Sequence, residues 1–87
     1  MIVDQKAQEI SLALIKISVY SRRPELRHRL ERLAFEILDI VANRDFAALE
    51  RIRQTFKNLV SFGRTIYEIE PINANMLLSE IDQLNSA

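Results

Sequence analysis

Cysteine and tryptophan are absent from the 87 residues of this chain, glycine occurs once and proline only twice. Without cysteine, neither a disulfide nor a thiolate metal site can hold the fold together. So few glycines and prolines leave few places for tight turns. No stretch alternates apolar and polar residues between clusters of turn residues, so we expect no β-strand. These absences favour an all-α protein in a reducing compartment.

The charges also lack a dominant sign, because 12 basic residues balance 12 acidic ones. Net charge therefore indicates neither a nucleic-acid partner nor a membrane partner. No apolar run approaches the roughly 20 residues needed to cross a bilayer. The opening MIVDQK lacks the basic and apolar blocks of a signal peptide. We expect a cytoplasmic protein without a membrane partner, folded as one domain over residues 1–87.

The clearest positive pattern is the stretch over residues 24–43, which the spacing predicts to be a helix of about five turns. Apolar residues recur there at intervals of four and three and form one seam: Leu26, Leu30, Leu33, Ile37 and Ile40. Pro24 suits the first helical position, and Asn43 suits the C-terminal end. Phe35 points away from the seam, so we expect another surface to cover it.

The first helix is predicted over about residues 4–20, with Asp4 as its N-cap. Its seam has the same spacing and comprises Val3, Ala7, Ile10, Leu14 and Ile17. Leu12, Ile15 and Val19 form a second stripe on the opposite side. A small intrachain core cannot bury both stripes. With Phe35, these three residues predict a subunit interface of a homo-oligomer, while scattered surface apolar residues are the alternative.

Two further helices are predicted, the third over about residues 45–67 with Asp45 as its cap and the fourth over about residues 72–84. The third has a seam of Leu49, Ile52, Phe56, Leu59 and Ile66, and the fourth buries Ala74, Leu77, Ile81 and Leu84. Gly63 falls in the seam of the third helix. It either ends this helix or allows a neighbouring backbone to approach closely inside a longer helix. We favour the longer helix, because Ile66 and Tyr67 return to the seam. Short connections favour an antiparallel up-down-up-down four-helix bundle. Its predicted common core is Ile10, Leu14, Leu30, Leu33, Ile37, Phe56, Leu59 and Leu77.

Catalytic and metal-binding patterns are weak. The single histidine, His28, lies between two arginines and points away from the seam, which is typical of a surface residue. Glu25 and His28 match the half-motif of di-iron bundles, but that site requires two such motifs and two more glutamates facing inward. No glycine-rich phosphate loop occurs. We expect no enzyme, no metal site and no cofactor.

Charge is unevenly distributed along the third helix. Four basic residues and no acidic one occur over residues 51–67. Arg53, Lys57 and Arg64 fall within about 40° of one another around the helix axis, which predicts a basic row able to contact phosphates. In an antiparallel bundle, the arginines around Pro24 are expected near Arg64; they are Arg22, Arg23, Arg27 and Arg29. The alternative is a solvated face with weak, exposed ion pairs.

The run ALIKISVYSRRPELRHRLERLAFEILDIV, with ALERIRQTF and YEIEPINANMLLSEIDQL after it, covers most of the chain. It resembles small four-helix-bundle proteins that include the accessory variability determinant of diversity-generating retroelements. Proteins encoded in intervening sequences of bacterial large ribosomal RNA genes belong to the same group. The resemblance implies an antiparallel bundle in a ring-like homo-oligomer, often a pentamer. It also implies a non-enzymatic role in binding nucleic acid and a reverse transcriptase. By position, Arg53, Lys57, Arg64 and the arginines around Pro24 would make that contact.

Two functional hypotheses follow. The first is an oligomeric accessory or scaffold protein that binds RNA or DNA and partners a reverse transcriptase. The second is a protein-interaction or structural module without nucleic-acid binding, in which a partner covers Leu12, Ile15, Val19 and Phe35.

Overall fold

Four helices make up the fold in a computed structural model, which describes residues 2–86 and the side chains of residues 3–84. They are α1 (Ile2–Ser18), α2 (Pro24–Ala42), α3 (Phe46–Thr65) and α4 (Pro71–Ser86). No strand occurs within residues 2–86. The predictions of an all-α chain and of a four-helix bundle are confirmed.

Cross-helix contacts indicate that helices packed against each other run antiparallel. Arg44, just after α2, holds Asp4 near the start of α1 through two bonds of 2.8 and 2.9 Å. Lys6 near the start of α1 reaches Glu80 near the end of α4, at 2.6 Å. Each helix packs against the helices before and after it, and α4 closes the ring against α1. This is the arrangement that short connections impose.

The core follows the predicted seams closely. Seven of the eight predicted core residues are buried, Ile10, Leu14, Leu30, Leu33, Ile37, Phe56 and Leu77. Leu59 is only partly buried, and Val60 takes the fully buried position beside it. In α2, Ile40 is likewise partly buried while Val41 is buried. Both corrections are shifts of one residue, because the buried arc of a straight helix drifts away from a strict alternation of fours and threes.

The predicted helix starts of α2 and α3 are confirmed. Pro24 is the first residue of α2, and the side chain of Asp45 accepts a hydrogen bond from the amide of Ala48 at the start of α3. The start of α1 was predicted wrongly: the helix already includes Ile2, so Asp4 lies in its first turn. There the helix dipole favours a negative charge. Arg44 donates hydrogen bonds to Asp4, which lowers the pKa of that carboxyl.

The end of α1 also differs from the prediction, because the helix stops at Ser18. The amide of Tyr20 bonds to the Ile17 carbonyl at 3.1 Å, and the amide of Ser21 to the Ser18 carbonyl at 3.0 Å. Both bonds reach back three residues instead of four, which tightens the backbone into a turn. Val19 therefore lies beyond the helix.

Helices α2 and α3 end in the same backbone motif. Asn43 is the C-cap of α2 and Ile66 that of α3; the following residues, Arg44 and Tyr67, have φ of 56° and 63°. The Glu68 amide bonds to the Gly63 carbonyl at 2.9 Å and the Tyr67 amide to the Arg64 carbonyl at 3.1 Å, which is a Schellman motif. The prediction that Tyr67 returns to the seam is wrong, because the left-handed conformation turns it outward and it is exposed.

Gly63 lies inside α3, as predicted, and is buried. A Cβ atom at this position would lie 2.6 Å from Ile69 Cδ1 and 2.9 Å from Ile69 Cγ1. The absent side chain thus makes room for Ile69, which folds back from the α3–α4 connection into the core. The close approach that the glycine was expected to permit is made by a side chain.

Candidate interaction surfaces

The basic row on α3 lies along the line where α3 packs against α4. Lys57 Nζ is 2.7 Å from Asp82 Oδ1, and Arg53 Nη1 donates to the same oxygen at 3.2 Å. Arg64 Nη1 donates to Asn75 Oδ1 at 2.8 Å. The three cations share one face, as predicted, and each already bonds to a polar group of α4.

The charge of this face is largely balanced. Arg53 also pairs with Glu50 one turn earlier, which raises the pKa of the guanidinium. The hydrogen bond from Lys57 and the attraction of both cations hold the pKa of Asp82 below its usual value. Three cations thus face two carboxylates. Such partly exposed ion pairs contribute little to stability, but they reduce the positive potential that would attract phosphates.

A second set of arginines surrounds Pro24. Glu68, in the α3–α4 connection, accepts hydrogen bonds from the Arg22 amide at 2.7 Å and the Ser21 hydroxyl at 3.2 Å. The Arg22 guanidinium lies 3.8 Å from the same carboxylate. These groups, the Arg22 amide foremost, lower the pKa of Glu68. Glu68 therefore ties the α1–α2 connection to the α3–α4 connection.

The remaining arginines of this set differ in exposure. Arg23 and Arg29 are exposed, and within residues 3–84 no carboxylate lies within ion-pair distance of either. Arg27 is partly buried. Arg64 was expected beside these arginines, but its guanidinium bonds to Asn75 on α4. The row on α3 therefore faces α4, whereas Arg22, Arg23 and Arg29 border the space between α2 and α3.

An open groove separates α2 from α3 beside Pro24. It has a volume of about 680 Å³, and its apolar lining comes from Leu26, Leu59, Phe62 and Ile66. Arg22, Arg23, Glu25 and Arg29 border it. Phe62 was not singled out as a site residue from the sequence, although its position off the α3 seam indicates an outward-facing ring; it is 58% exposed.

A second groove, of about 360 Å³, lies between α1 and α2. Leu12 and Ile15 line it from α1, and Phe35 and Leu38 line it from α2. Leu12 is 55% exposed and Phe35 61%, whereas Ile15 packs against the core. The helices lie close enough here for Ser11 to donate a hydrogen bond to the Ala34 carbonyl at 2.8 Å. The structure thus brings three of the four predicted interface residues together, and Leu38 is an addition.

Val19 does not belong to that surface. It lines a separate groove between α1 and α4, together with Ile17, Tyr20 and Met76. The predicted stripe assumed that α1 continued to residue 20, but the helix ends at Ser18 and the backbone turns before Val19. Helical spacing could not place a residue that lies outside the helix.

No cluster of metal-ligating side chains occurs within the part of the chain that the structure describes. His28 and Glu25 are exposed on α2. None of the described helices is long and apolar enough to span a membrane. Every buried side-chain nitrogen and oxygen among the described residues has a hydrogen-bond partner.

No known protein-family model matches this chain, and neither a curated protein nor a solved structure is significantly similar to it.

Proposed function

We propose that this chain is a non-enzymatic, self-associating helical bundle of the cytoplasm that acts as a scaffold for other macromolecules. One observation carries the proposal. Leu12 and Phe35 are more than half exposed and line the same groove between α1 and α2. None of the residues that line this groove is charged; they are Gln8, Ser11, Leu12, Ile15, Ala34, Phe35 and Leu38. Exposed apolar grooves of this kind mark interaction sites.

A second copy of the chain fits this groove best. The core of an interface between identical subunits is depleted in charge and rich in aromatic and aliphatic side chains. The α1–α2 groove has both properties, and a two-fold axis would place Leu12 and Phe35 of one copy against the same pair of the other. The family resemblance implies self-association too, but as a ring-like homo-oligomer, often a pentamer, in which this groove would contact a different surface of the next copy.

The combined change of Leu12→Lys and Phe35→Lys should convert an oligomer into monomers, because unpaired charges in a desolvated interface are costly. The mass from light scattering at tens of micromolar should fall to that of one chain while circular dichroism stays helical. Val19→Lys is the matched control, since Val19 is 63% exposed but lines a different groove. A monomeric mass for the unsubstituted chain would refute self-association.

Nucleic-acid binding, with a reverse transcriptase as a further partner, is the second candidate function. Its support is the pair Arg23 and Arg29, which are exposed and have no carboxylate within ion-pair distance in residues 3–84. Arg22 and Arg27 flank them. The row of Arg53, Lys57 and Arg64 contributes less, because a phosphate would have to displace Asp82 and Asn75.

Binding of RNA or DNA should accordingly be weak, independent of sequence and steeply dependent on salt, because each neutralised phosphate releases counterions. Replacing Arg23 and Arg29 with glutamine should flatten the salt dependence more than the triple change of Arg53, Lys57 and Arg64 to glutamine. Fluorescence anisotropy with a labelled 20-mer at several salt concentrations measures both slopes. An absence of binding at low salt would leave the self-associating protein scaffold as the remaining function.

A further inference from the structure

The groove between α2 and α3 combines an apolar floor with a basic border. Leu59, Phe62 and Ile66 are three and four residues apart on α3, so they form one ridge along the groove. Leu26 closes the floor from α2. Among the charged residues of the border, Arg23 and Arg29 outnumber Glu25, while the guanidinium of Arg22 lies 3.8 Å from Glu68. The groove has a volume of about 680 Å³, which falls in the range of about 300–1,000 Å³ typical of ligand clefts.

We propose that this groove is a docking site for an acidic amphipathic helix of a partner protein. The apolar side of such a helix would pack along Phe62 and Ile66, and its flanking carboxylates would pair with Arg23 and Arg29. The site lies on the opposite side of α2 from the α1–α2 groove, so it goes beyond self-association and does not depend on it.

A helical partner fits because of the backbone chemistry of the site. Residues 2–86 contain no strand, so an extended peptide would find no sheet edge with which to pair its own amides and carbonyls. A helix satisfies its backbone hydrogen bonds internally and offers side chains alone. Its i, i+3, i+4 and i+7 apolar residues would pack against the ridge of Leu59, Phe62 and Ile66.

The charge of the groove selects an acidic partner, and its lining favours protein over nucleic acid. Arginine pairs well with carboxylates because the guanidinium donates two parallel hydrogen bonds. Nucleic-acid channels stack successive bases on several aromatic rings, whereas Phe62 is the one aromatic residue lining this groove. Most of the lining surface is apolar.

The test uses two designed 18-residue helical peptides. Both have leucine at positions i, i+4, i+7 and i+11. One has glutamate at the flanking positions and the other lysine. We expect the full-length chain to bind the labelled acidic peptide at least about tenfold more tightly than the lysine peptide in anisotropy titrations at low salt. Phe62→Ala should weaken binding of the acidic peptide by about tenfold or more, since buried aromatic anchors dominate such interfaces. The combined change of Arg23 and Arg29 to glutamine should remove most of the preference for the acidic peptide.

Matched controls come from the same two helices. Phe46→Ala alters an exposed phenylalanine at the other end of α3, and Arg32→Gln alters an exposed arginine of α2 outside the groove. Neither should change the affinity for the acidic peptide. Equal binding of both peptides, or equal effects of Phe62→Ala and Phe46→Ala, would overturn the proposal. So would a single-stranded RNA 20-mer that binds this groove with the same dependence on Phe62 while the acidic peptide does not bind. Light scattering on the same samples measures self-association separately. A failure of peptide binding therefore does not imply a failure of self-association, and the reverse also holds.

Discussion

Ile37→Ala should lower the free energy of unfolding by about 2–5 kcal/mol. Ile37 is fully buried in the second half of α2, in the core formed by all four helices. Alanine removes three carbon atoms and leaves a cavity, because packed neighbours relax only partly into the space. Small domains of this size have a total stability of about 5–15 kcal/mol. A single substitution would therefore remove a large part of the total stability.

Urea denaturation followed by circular dichroism measures this effect, with the slope of the transition used to check that the unfolded state is unchanged. Ile72→Ala is the matched control, since it makes the same chemical change on α4 at a side chain that is 75% exposed. That substitution should change stability by no more than about 0.5 kcal/mol. Equal effects at the two positions would contradict the burial of Ile37 in a common core.

Periodicity was sufficient to predict the core because most of the hydrophobic residues of a small bundle have only one role, to face the other helices. The intervals of four and three residues placed Ile10, Leu14, Leu30 and Ile37 correctly. They misplaced Leu59 by one residue. The helix starts at Pro24 and Phe46 were equally predictable, because proline and aspartate act locally on the first turn.

The ends of helices were less predictable. Left-handed residues after α2 and α3 were not expected, since glycine is the usual residue there and this chain has arginine and tyrosine instead. The bonds that fix Tyr67 run from the α3–α4 connection back to Gly63 and Arg64. Apolar spacing does not show where such bonds form, and the same motif ends α2 at Arg44. For the same reason, spacing did not show that α1 ends before Val19, so Val19 was wrongly grouped with Leu12.

Pairing between helices was the least predictable feature of the candidate surfaces. Spacing alone showed that Arg53 and Lys57 share a face, but not that the same face carries Asp82 from a helix 25 residues further along the chain. The α3 row therefore has weaker support as a phosphate site than the sequence indicated. Among the arginines around Pro24, Arg22 pairs with Glu68, whereas Arg23 and Arg29 border the groove between α2 and α3 and have no carboxylate within ion-pair distance in residues 3–84.

The single glycine of the chain should not tolerate even a methyl group. Gly63 does not have a left-handed backbone conformation. In an ordinary helix, the change from glycine to alanine would therefore stabilise the fold by about 0.5–1 kcal/mol. Here the new Cβ would meet Ile69 Cδ1 at 2.6 Å and Cγ1 at 2.9 Å. Ile69 is buried and has little room to move away. We therefore expect Gly63→Ala to destabilise the fold by about 1–3 kcal/mol, the usual cost of overpacking a core.

A double-mutant cycle with Ile69→Ala isolates that contact, because this change removes both atoms that the new methyl group would meet. Ile69→Ala alone should cost about 2–5 kcal/mol through the cavity it opens. In the double mutant the alanine at position 63 partly refills that cavity, so the combined cost should fall short of the sum by about 1 kcal/mol or more. Thr55→Ala, at an exposed position of the same helix, reports the effect of helix propensity alone and should stabilise the fold by about 0.5 kcal/mol. Additive effects at positions 63 and 69, measured by urea denaturation, would mean that Gly63 is not what makes room for Ile69.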